Sequence, residues 1–136
     1  MTLGERAKEY YLGQGLNCAV SVLLASNDTY NLGLKKEDAQ PITAFGGGMG
    51  CGNLCGALAG AMAALGKVYL AEDEMYNPEF KDVCAGFVAK FTEKWGTTLC
   101  NPIKEKNVTD PQLRCSITVL ETGNFLQEYI DSIMKK

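Results

Sequence analysis

Residues 44–62 read AFGGGMGCGNLCGALAGAM, a segment without a charged side chain. Residues 44–55 hold five glycines and two cysteines, Cys51 and Cys55. From Leu54 to Leu65 the residues are small or apolar, and such a run favours a helix buried in a core. The segment therefore predicts a glycine-rich loop that leads into a core helix.

The composition is that of an ordinary globular protein. The chain has 136 residues, 46% of them hydrophobic and 21% charged, which predicts one domain over residues 1–136. Its net charge of -3 offers no basic surface for nucleic acid. Histidine is absent, so Ser-His and Cys-His hydrolase mechanisms are excluded, and any metal must be bound by sulfur or carboxylate.

The chain carries no clear membrane or export signal. Residues 41–66 are uncharged, but glycines interrupt them, and the helical part is shorter than the roughly 20 residues that cross a bilayer. The first residues, MTLGERAKEYYLGQG, lack the apolar core of a secretory signal. We therefore expect no membrane span and a cytoplasmic location, where disulfides are rare.

Helical periodicity dominates the rest of the chain. It predicts helices over residues 3–12, from Asn17 onward, over 36–44, 53–70 and 80–95, and from 110 to 134. The clearest apolar face comprises Phe80, Val83, Cys84, Phe87, Val88 and Phe91. No strand pattern is found, so the sequence predicts an all-α bundle of five or six helices with a glycine-rich loop at one helix N-terminus.

Three of the six cysteines fall near predicted helix starts. Cys18 follows the predicted cap Asn17, Cys55 follows the predicted cap Asn53, and Cys115 lies in the second turn of the last helix. Free backbone N–H groups and the helix dipole stabilise a thiolate at such positions. We therefore expect lowered pKa values, as nucleophilic or metal-binding cysteines require.

The remaining cysteines carry weaker signals. Cys51 forms a C-x3-C pair with Cys55, which is not the spacing of a zinc ribbon. Cys100 lies in a predicted loop, and Cys84 belongs to an apolar face and is predicted to be core. The small residues after Cys55 allow other helices to approach closely. That closeness would bring distant sulfurs together, or it would serve a tight helix crossing alone.

Several motifs together resemble the C_GCAxxG_C_C family of redox-active proteins. They are Asn17-Cys18-Ala19, Gly46-Gly47-Gly48-Met49-Gly50, Cys55-Gly56-Ala57-Leu58-Ala59-Gly60, Cys100 and Cys115. The resemblance covers nearly the whole chain and implies a small helical redox protein with four family cysteines, Cys18, Cys55, Cys100 and Cys115. It also implies that these cysteines are able to hold an iron–sulfur centre, as in similar domains that are joined to redox modules. The chain departs from the pattern in having Cys51 and Cys84. Three roles are open to Cys51: a fifth ligand, a substitute ligand or a resolving thiol.

The leading hypothesis is a redox-active site for an iron–sulfur cluster or another thiophilic metal such as zinc or copper. Its ligands would be Cys18, Cys55, Cys100 and Cys115, with Cys51 as an additional or substitute ligand. Backbone N–H groups of Gly46, Gly47, Gly48 and Gly50 would form an anion-binding nest beside it. An electron donor or acceptor protein would be the partner, and a homo-oligomer in which two chains share one centre stays open.

Two other functions remain open at this point. One is metal-free thiol–disulfide chemistry, in which Cys55 attacks and Cys51 or Cys18 resolves the bond. The other is a helical interaction protein whose cysteines are merely buried. Absorption spectroscopy and analysis of metal and sulfide distinguish the three.

Overall fold

The structure is a computed structural model and describes residues 1–134 of the chain. These residues form six α-helices, a 3-10 helix and a short π-helical turn, and contain no strand. The α-helices are α1 (Leu3–Gly13), α2 (Cys18–Tyr30), α3 (Gly56–Tyr69), α4 (Pro78–Trp95), α5 (Cys100–Asn107) and α6 (Ser116–Ile133). The predicted all-α class is confirmed. Counted together, the six α-helices and the 3-10 helix exceed the predicted five or six helices, because α5 lies in a segment that was predicted to be a loop.

The glycine-rich loop is not confirmed in the predicted form. After the 3-10 helix Lys36–Phe45, the segment Gly48–Gly52 closes into a π-helical turn, in which the N–H of Asn53 donates to the carbonyl oxygen of Gly48 at 2.8 Å. Met49 has a φ of 62°, a left-handed conformation that is uncommon outside glycine. An extended segment follows, so α3 begins only at Gly56. The glycines therefore form a compact turn one segment away from the helix.

Glycines also let the main helices pack closely. A Cβ on Gly123 of α6 would lie 2.6 Å from the Cα of Gly4 in α1, so only glycine fits at this crossing. Gly60 of α3 packs in the same way against the backbone of Ala19 in α2. These two crossings join α1 to α6 and α2 to α3, and the buried core lies between them.

The core contains the predicted aromatic face of α4. Phe87 and Phe91 are fully buried, and the ring of Phe87 lies 5.3 Å from that of Tyr129 in α6. Cys84 was predicted to be core, but it is only partly buried. Burial raises the pKa of Tyr129 in α6, and the thiol of Cys84 lies near enough to raise it further. Within residues 1–134, every helix is too short or too polar to cross a bilayer.

Candidate cysteine site

Four cysteines lie at the N-termini of four different helices. Cys18 and Cys100 are the first residues of α2 and α5, and Cys55 and Cys115 are the N-cap residues of α3 and α6. The predicted place at a helix start was correct for Cys18. Cys55 is itself the N-cap of α3, whereas the predicted cap was Asn53. Cys100 was predicted to lie in a loop and Cys115 in the second turn of a helix, but they begin α5 and α6. All four sulfurs thus lie at the positive end of a helix dipole.

Backbone hydrogen bonds fix Cys55 next to Cys100. The N–H of Cys55 donates to the carbonyl oxygen of Thr98 at 2.8 Å, and the N–H of Cys100 donates to the carbonyl oxygen of Asn53. The residues between these bonds, Leu54 and Leu99, form an isolated antiparallel bridge. The extended segments that precede α3 and α5 are therefore paired, and their two cysteines are held at one end of the fold.

Two glycines bring the remaining segments onto this pair. A Cβ on Gly56 would overlap the Sγ atom of Cys18 and lie 2.9 Å from the carbonyl oxygen of Phe45. A Cβ on Gly48 would lie 2.6 Å from the Cβ of Cys100. Because no real Cβ contact is that short, α2 and the π-helical turn reach the cysteines only if these positions are glycine. The close approach predicted from the small residues of α3 is thus present.

The thiol of Cys18 lies close enough to the other three to influence their pKa values. Burial raises the pKa of Cys55 to about 12, and the thiols of Cys18 and Cys100 act in the same direction. The backbone N–H groups of Leu58 and Ala57 oppose this shift without cancelling it. Only 5% of Cys55 is exposed, which explains why burial is the largest cause.

Cys100 and Cys115 show the same pattern. Burial raises the pKa of Cys100, and the thiols of Cys115 and Cys18 raise it further. Burial also raises the pKa of Cys115, with the thiol of Cys18 as the next cause, while Lys104 lowers both values. Cys18 is therefore the common neighbour of the other three. The expected lowering of the pKa was wrong for Cys55 and Cys115, because burial outweighs the helix N-termini.

Cys51 and Cys84 stand apart from this group. Neither is among the groups in residues 1–134 that shift the pKa of Cys55, Cys100 or Cys115. Cys51 is exposed on the π-helical turn, where its thiol donates to the carbonyl oxygen of Gly48 at 3.7 Å. Its proposed role as a fifth ligand stays a prediction.

The glycines predicted to form an anion nest have different surroundings. Gly46 packs against the side chain of Asn17, and Gly48 packs against Cys100. A Cβ on Gly47 or Gly50 would meet nothing within 4 Å, but their φ values of 63° and 76° need glycine. The nest itself stays a prediction, although the turn that would form it adjoins Cys100.

Sequence reasoning missed three residues that face the site. They are Tyr11, Lys104 and Arg114, and each of them lowers the pKa of the Cys115 thiol. Tyr11 is 104 residues away from Cys115 along the chain, so no local spacing could relate the two. Lys104 lies one turn into α5, a helix that was itself predicted to be a loop.

The donor chemistry of the site fits a bound group. Among residues 1–134, no three acidic or cysteine side chains are close enough to hold a metal ion as they stand. Four thiols nevertheless supply the donor set that iron–sulfur clusters and other thiophilic metals take.

These features define a class of protein: an all-helical protein whose interacting cysteines lie at helix N-termini. The family model described as "Putative redox-active protein (C_GCAxxG_C_C)" matches residues 16–129. The chain belongs to that family, as its motifs predicted. No curated protein and no solved structure matches the chain.

Proposed function

We propose that this protein binds an iron–sulfur cluster, or another thiophilic metal, through Cys18, Cys55, Cys100 and Cys115. The role would be electron transfer or cluster handling, with a separate electron donor or acceptor protein as partner. The observation that supports this most is that four cysteines at four helix N-termini lie around Cys18, whose Sγ packs against Gly56 and whose thiol raises the pKa of Cys55, Cys100 and Cys115. The four sulfurs would have to move closer on binding. A bound cluster would supply a one-electron redox couple.

The chain's own groups favour a thiophilic ligand over free thiolates. At neutral pH the raised pKa keeps Cys55 protonated, so a ligand must displace its proton in order to bind. Soft cations that bond strongly to sulfur meet this requirement, whereas hard cations such as Mg²⁺ prefer oxygen. Lys104 and the four helix N-termini would stabilise the negative charge that remains on the sulfurs.

The π-helical turn would contribute hydrogen bonds around the cluster. Gly48 adjoins Cys100, and Gly46, Gly47 and Gly50 flank it in the same segment. Backbone N–H groups of such a turn donate to ligand or cluster sulfurs, which orients the ligands and raises the reduction potential. Cys51 on the same turn would reach the centre only as an exchangeable ligand, because its side chain is exposed.

Thiol–disulfide chemistry by Cys55 with Cys51 or Cys18 is the alternative. The contact of Gly56 with the Cys18 sulfur places Cys18 next to the start of α3, which favours Cys18 as the resolving thiol. A pKa of about 12 opposes this mechanism, because about one Cys55 in 100,000 would be thiolate at pH 7. A thiol attacks a disulfide as the thiolate, so this reaction would be slow.

Anaerobic reconstitution with ferrous iron and sulfide tests the proposal. The expected product is coloured, contains iron and acid-labile sulfide, and has an absorption band between 300 and 700 nm. Cys18→Ser and Cys55→Ser should each lose the band, whereas Cys84→Ser, at a partly buried cysteine outside the group, should retain it. The absorption band of Cys51→Ser shows whether Cys51 is a ligand, because the band should change only if Cys51 binds the cluster.

Three outcomes would decide between the functions. Zinc or copper without sulfide, lost in the same variants, would support a thiophilic metal other than iron. A colourless protein with a reversible two-electron thiol couple would support disulfide chemistry instead. A protein with neither property, or one that retains its band in Cys55→Ser and loses it in Cys84→Ser, would overturn the proposed ligand set.

A further inference from the structure

Tyr11 of α1 reaches across the fold to the N-terminus of α6. Its hydroxyl oxygen accepts a hydrogen bond from the backbone N–H of Cys115 at 3.2 Å. The side chain is nearly buried, with 8% exposed, so water competes little for this bond. The hydroxyl is therefore a fixed acceptor at the point where Cys115 enters its helix.

Arg114 holds Tyr11 in place through two contacts. Its guanidinium lies 4.6 Å from the centroid of the Tyr11 ring, and its Nη2 donates to the carbonyl oxygen of Tyr11 at 3.2 Å. A cation over a tyrosine face and a hydrogen bond to the same residue fix both the ring and its backbone. The two contacts join α1 to the turn that precedes α6.

The backbone of this turn is strained at Arg114. Its φ of 48° lies in the left-handed region, which is unfavourable for a residue with a Cβ. The contacts to Tyr11 offset that cost, and the left-handed residue turns the chain so that Cys115 becomes the N-cap of α6. Strain that persists next to a candidate ligand is typical of a functional constraint.

We propose that Tyr11 is a positioning residue of the cysteine site. Its hydroxyl fixes the backbone of Cys115, with Arg114 as a brace, so that the Cys115 sulfur stays near those of Cys18 and Cys100. The proposal rests on the proposed function in that this sulfur is taken to be a ligand. Tyr11 lies before residues 16–129, the segment that the family model matches.

The Tyr11 hydroxyl can also donate a hydrogen bond at this site. A tyrosine oxygen that accepts one hydrogen bond still has its own hydrogen to donate. The Tyr11 hydroxyl also lies within hydrogen-bonding reach of the Cys115 side chain, so it can donate to that sulfur. A hydrogen bond to a ligand sulfur raises the reduction potential of a bound cluster.

Amide hydrogen exchange in the metal-free protein tests the positioning directly. In Tyr11→Phe the N–H of Cys115 loses its acceptor, and its exchange by NMR should become about tenfold faster or more. The N–H of Val119, which donates to the carbonyl oxygen of Cys115, should keep its rate. Tyr10→Phe is the matched control, because its hydroxyl donates to Asp28 on the surface. Equal exchange of the Cys115 N–H in both variants would overturn the proposal.

The midpoint potential after reconstitution with ferrous iron and sulfide tests the consequence for the site. Tyr11→Phe should keep the iron content and shift the potential downward, and Tyr10→Phe should match the wild type. A wild-type potential in both variants would contradict a role of Tyr11 at the sulfur. If the wild type takes up no iron, the exchange rates alone decide whether Tyr11 positions Cys115. The proposed function is wrong if the wild type binds neither iron nor zinc nor copper.

Arg114→Gly keeps the test decisive if Tyr11→Phe does not fold. Glycine adopts the positive φ at no cost and removes the brace over the ring. The Cys115 N–H should then exchange faster than in the wild type, although by less than in Tyr11→Phe, because the hydroxyl is still present. Unchanged exchange in this variant would show that Arg114 does not support the contact.

Discussion

Gly56→Ala tests the close approach on which the cysteine site depends. The added Cβ would overlap the Sγ of Cys18 and lie 2.9 Å from the carbonyl oxygen of Phe45. The backbone oxygen cannot rotate away, so either α2 or the end of the 3-10 helix must move. Overpacking of this kind costs about 1–3 kcal/mol, against which the helix preference of alanine returns at most about 1 kcal/mol. We therefore expect a net loss of about 1–2 kcal/mol in the free energy of unfolding.

Gly66→Ala in the same helix is the matched control. A Cβ there would lie 3.7 Å from the Cζ of Phe80, an ordinary contact, so alanine should stabilise α3 by about 0.5–1 kcal/mol. Guanidinium unfolding of the reduced, metal-free variants, followed by circular dichroism, measures both effects. In reconstituted protein, Gly56→Ala should also bind less iron than Gly66→Ala. If Gly56→Ala is as stable as the wild type and binds as much iron, the Cys18 sulfur does not pack against α3 as described.

Three further predictions follow from single residues. The free energy of unfolding should fall by up to about 4 kcal/mol between pH 9 and pH 12, because the thiol of Cys55 ionises near 9.0 when unfolded and at about 12 when folded. The stabilisation from the protonated Cys55 thiol is complete below pH 9. Denaturant titrations at several pH values should show that this decrease is missing in Cys55→Ala. An equal decrease in Cys55→Ala and in the wild type would contradict the burial argument. Asn17→Ala should lower the free energy of unfolding by about 1–2 kcal/mol, measured by thermal unfolding. The Asn17 side chain accepts a hydrogen bond from the Val20 N–H at 2.9 Å and donates one to the Thr43 carbonyl oxygen at 2.8 Å. An unchanged melting temperature would refute both roles. Cys84→Ser should change stability by less than about 1 kcal/mol, because this thiol is only partly buried, and a larger loss would place it in the core.

The sequence predicted the helices well where a periodic pattern or a cap marked them. Asn17 caps α2 as expected, and Phe87 and Phe91 are buried as the apolar face of α4 required. The helix α5 was missed because CNPIKEKN is short and largely polar, so it carries no apolar stripe. The role of Gly123 was missed as well. Spacing shows a helix weakened by glycine, whereas the reason for the glycine, its contact with Gly4, depends on a distant segment.

Motifs could single out the cysteines of the candidate site, whose role as ligands stays a prediction, since their residue types and order are visible in the chain. The raised pKa values of Cys55, Cys100 and Cys115 could not be predicted, because burial is set by packing between helices that are far apart in sequence. The contacts of Tyr11 and Arg114 could not be predicted either. Both residues meet Cys115 through the turn before α6, and neither residue type has a sequence signal for that contact.

The balance between burial and helix dipoles explains what kind of ligand the site would accept. A helix N-terminus stabilises a charge by about 0.3–1 kcal/mol, and by up to about 2 kcal/mol in buried geometries. The rise in the pKa of Cys55 from 9.0 to about 12 corresponds to about 4 kcal/mol against its thiolate. Burial therefore prevails until a ligand supplies positive charge of its own. In that case the helix N-termini and Lys104 add to the stabilisation, because the sulfurs they face are then anionic. Thiols arranged in this way are poor nucleophiles on their own, and they favour a cation that bonds strongly to sulfur.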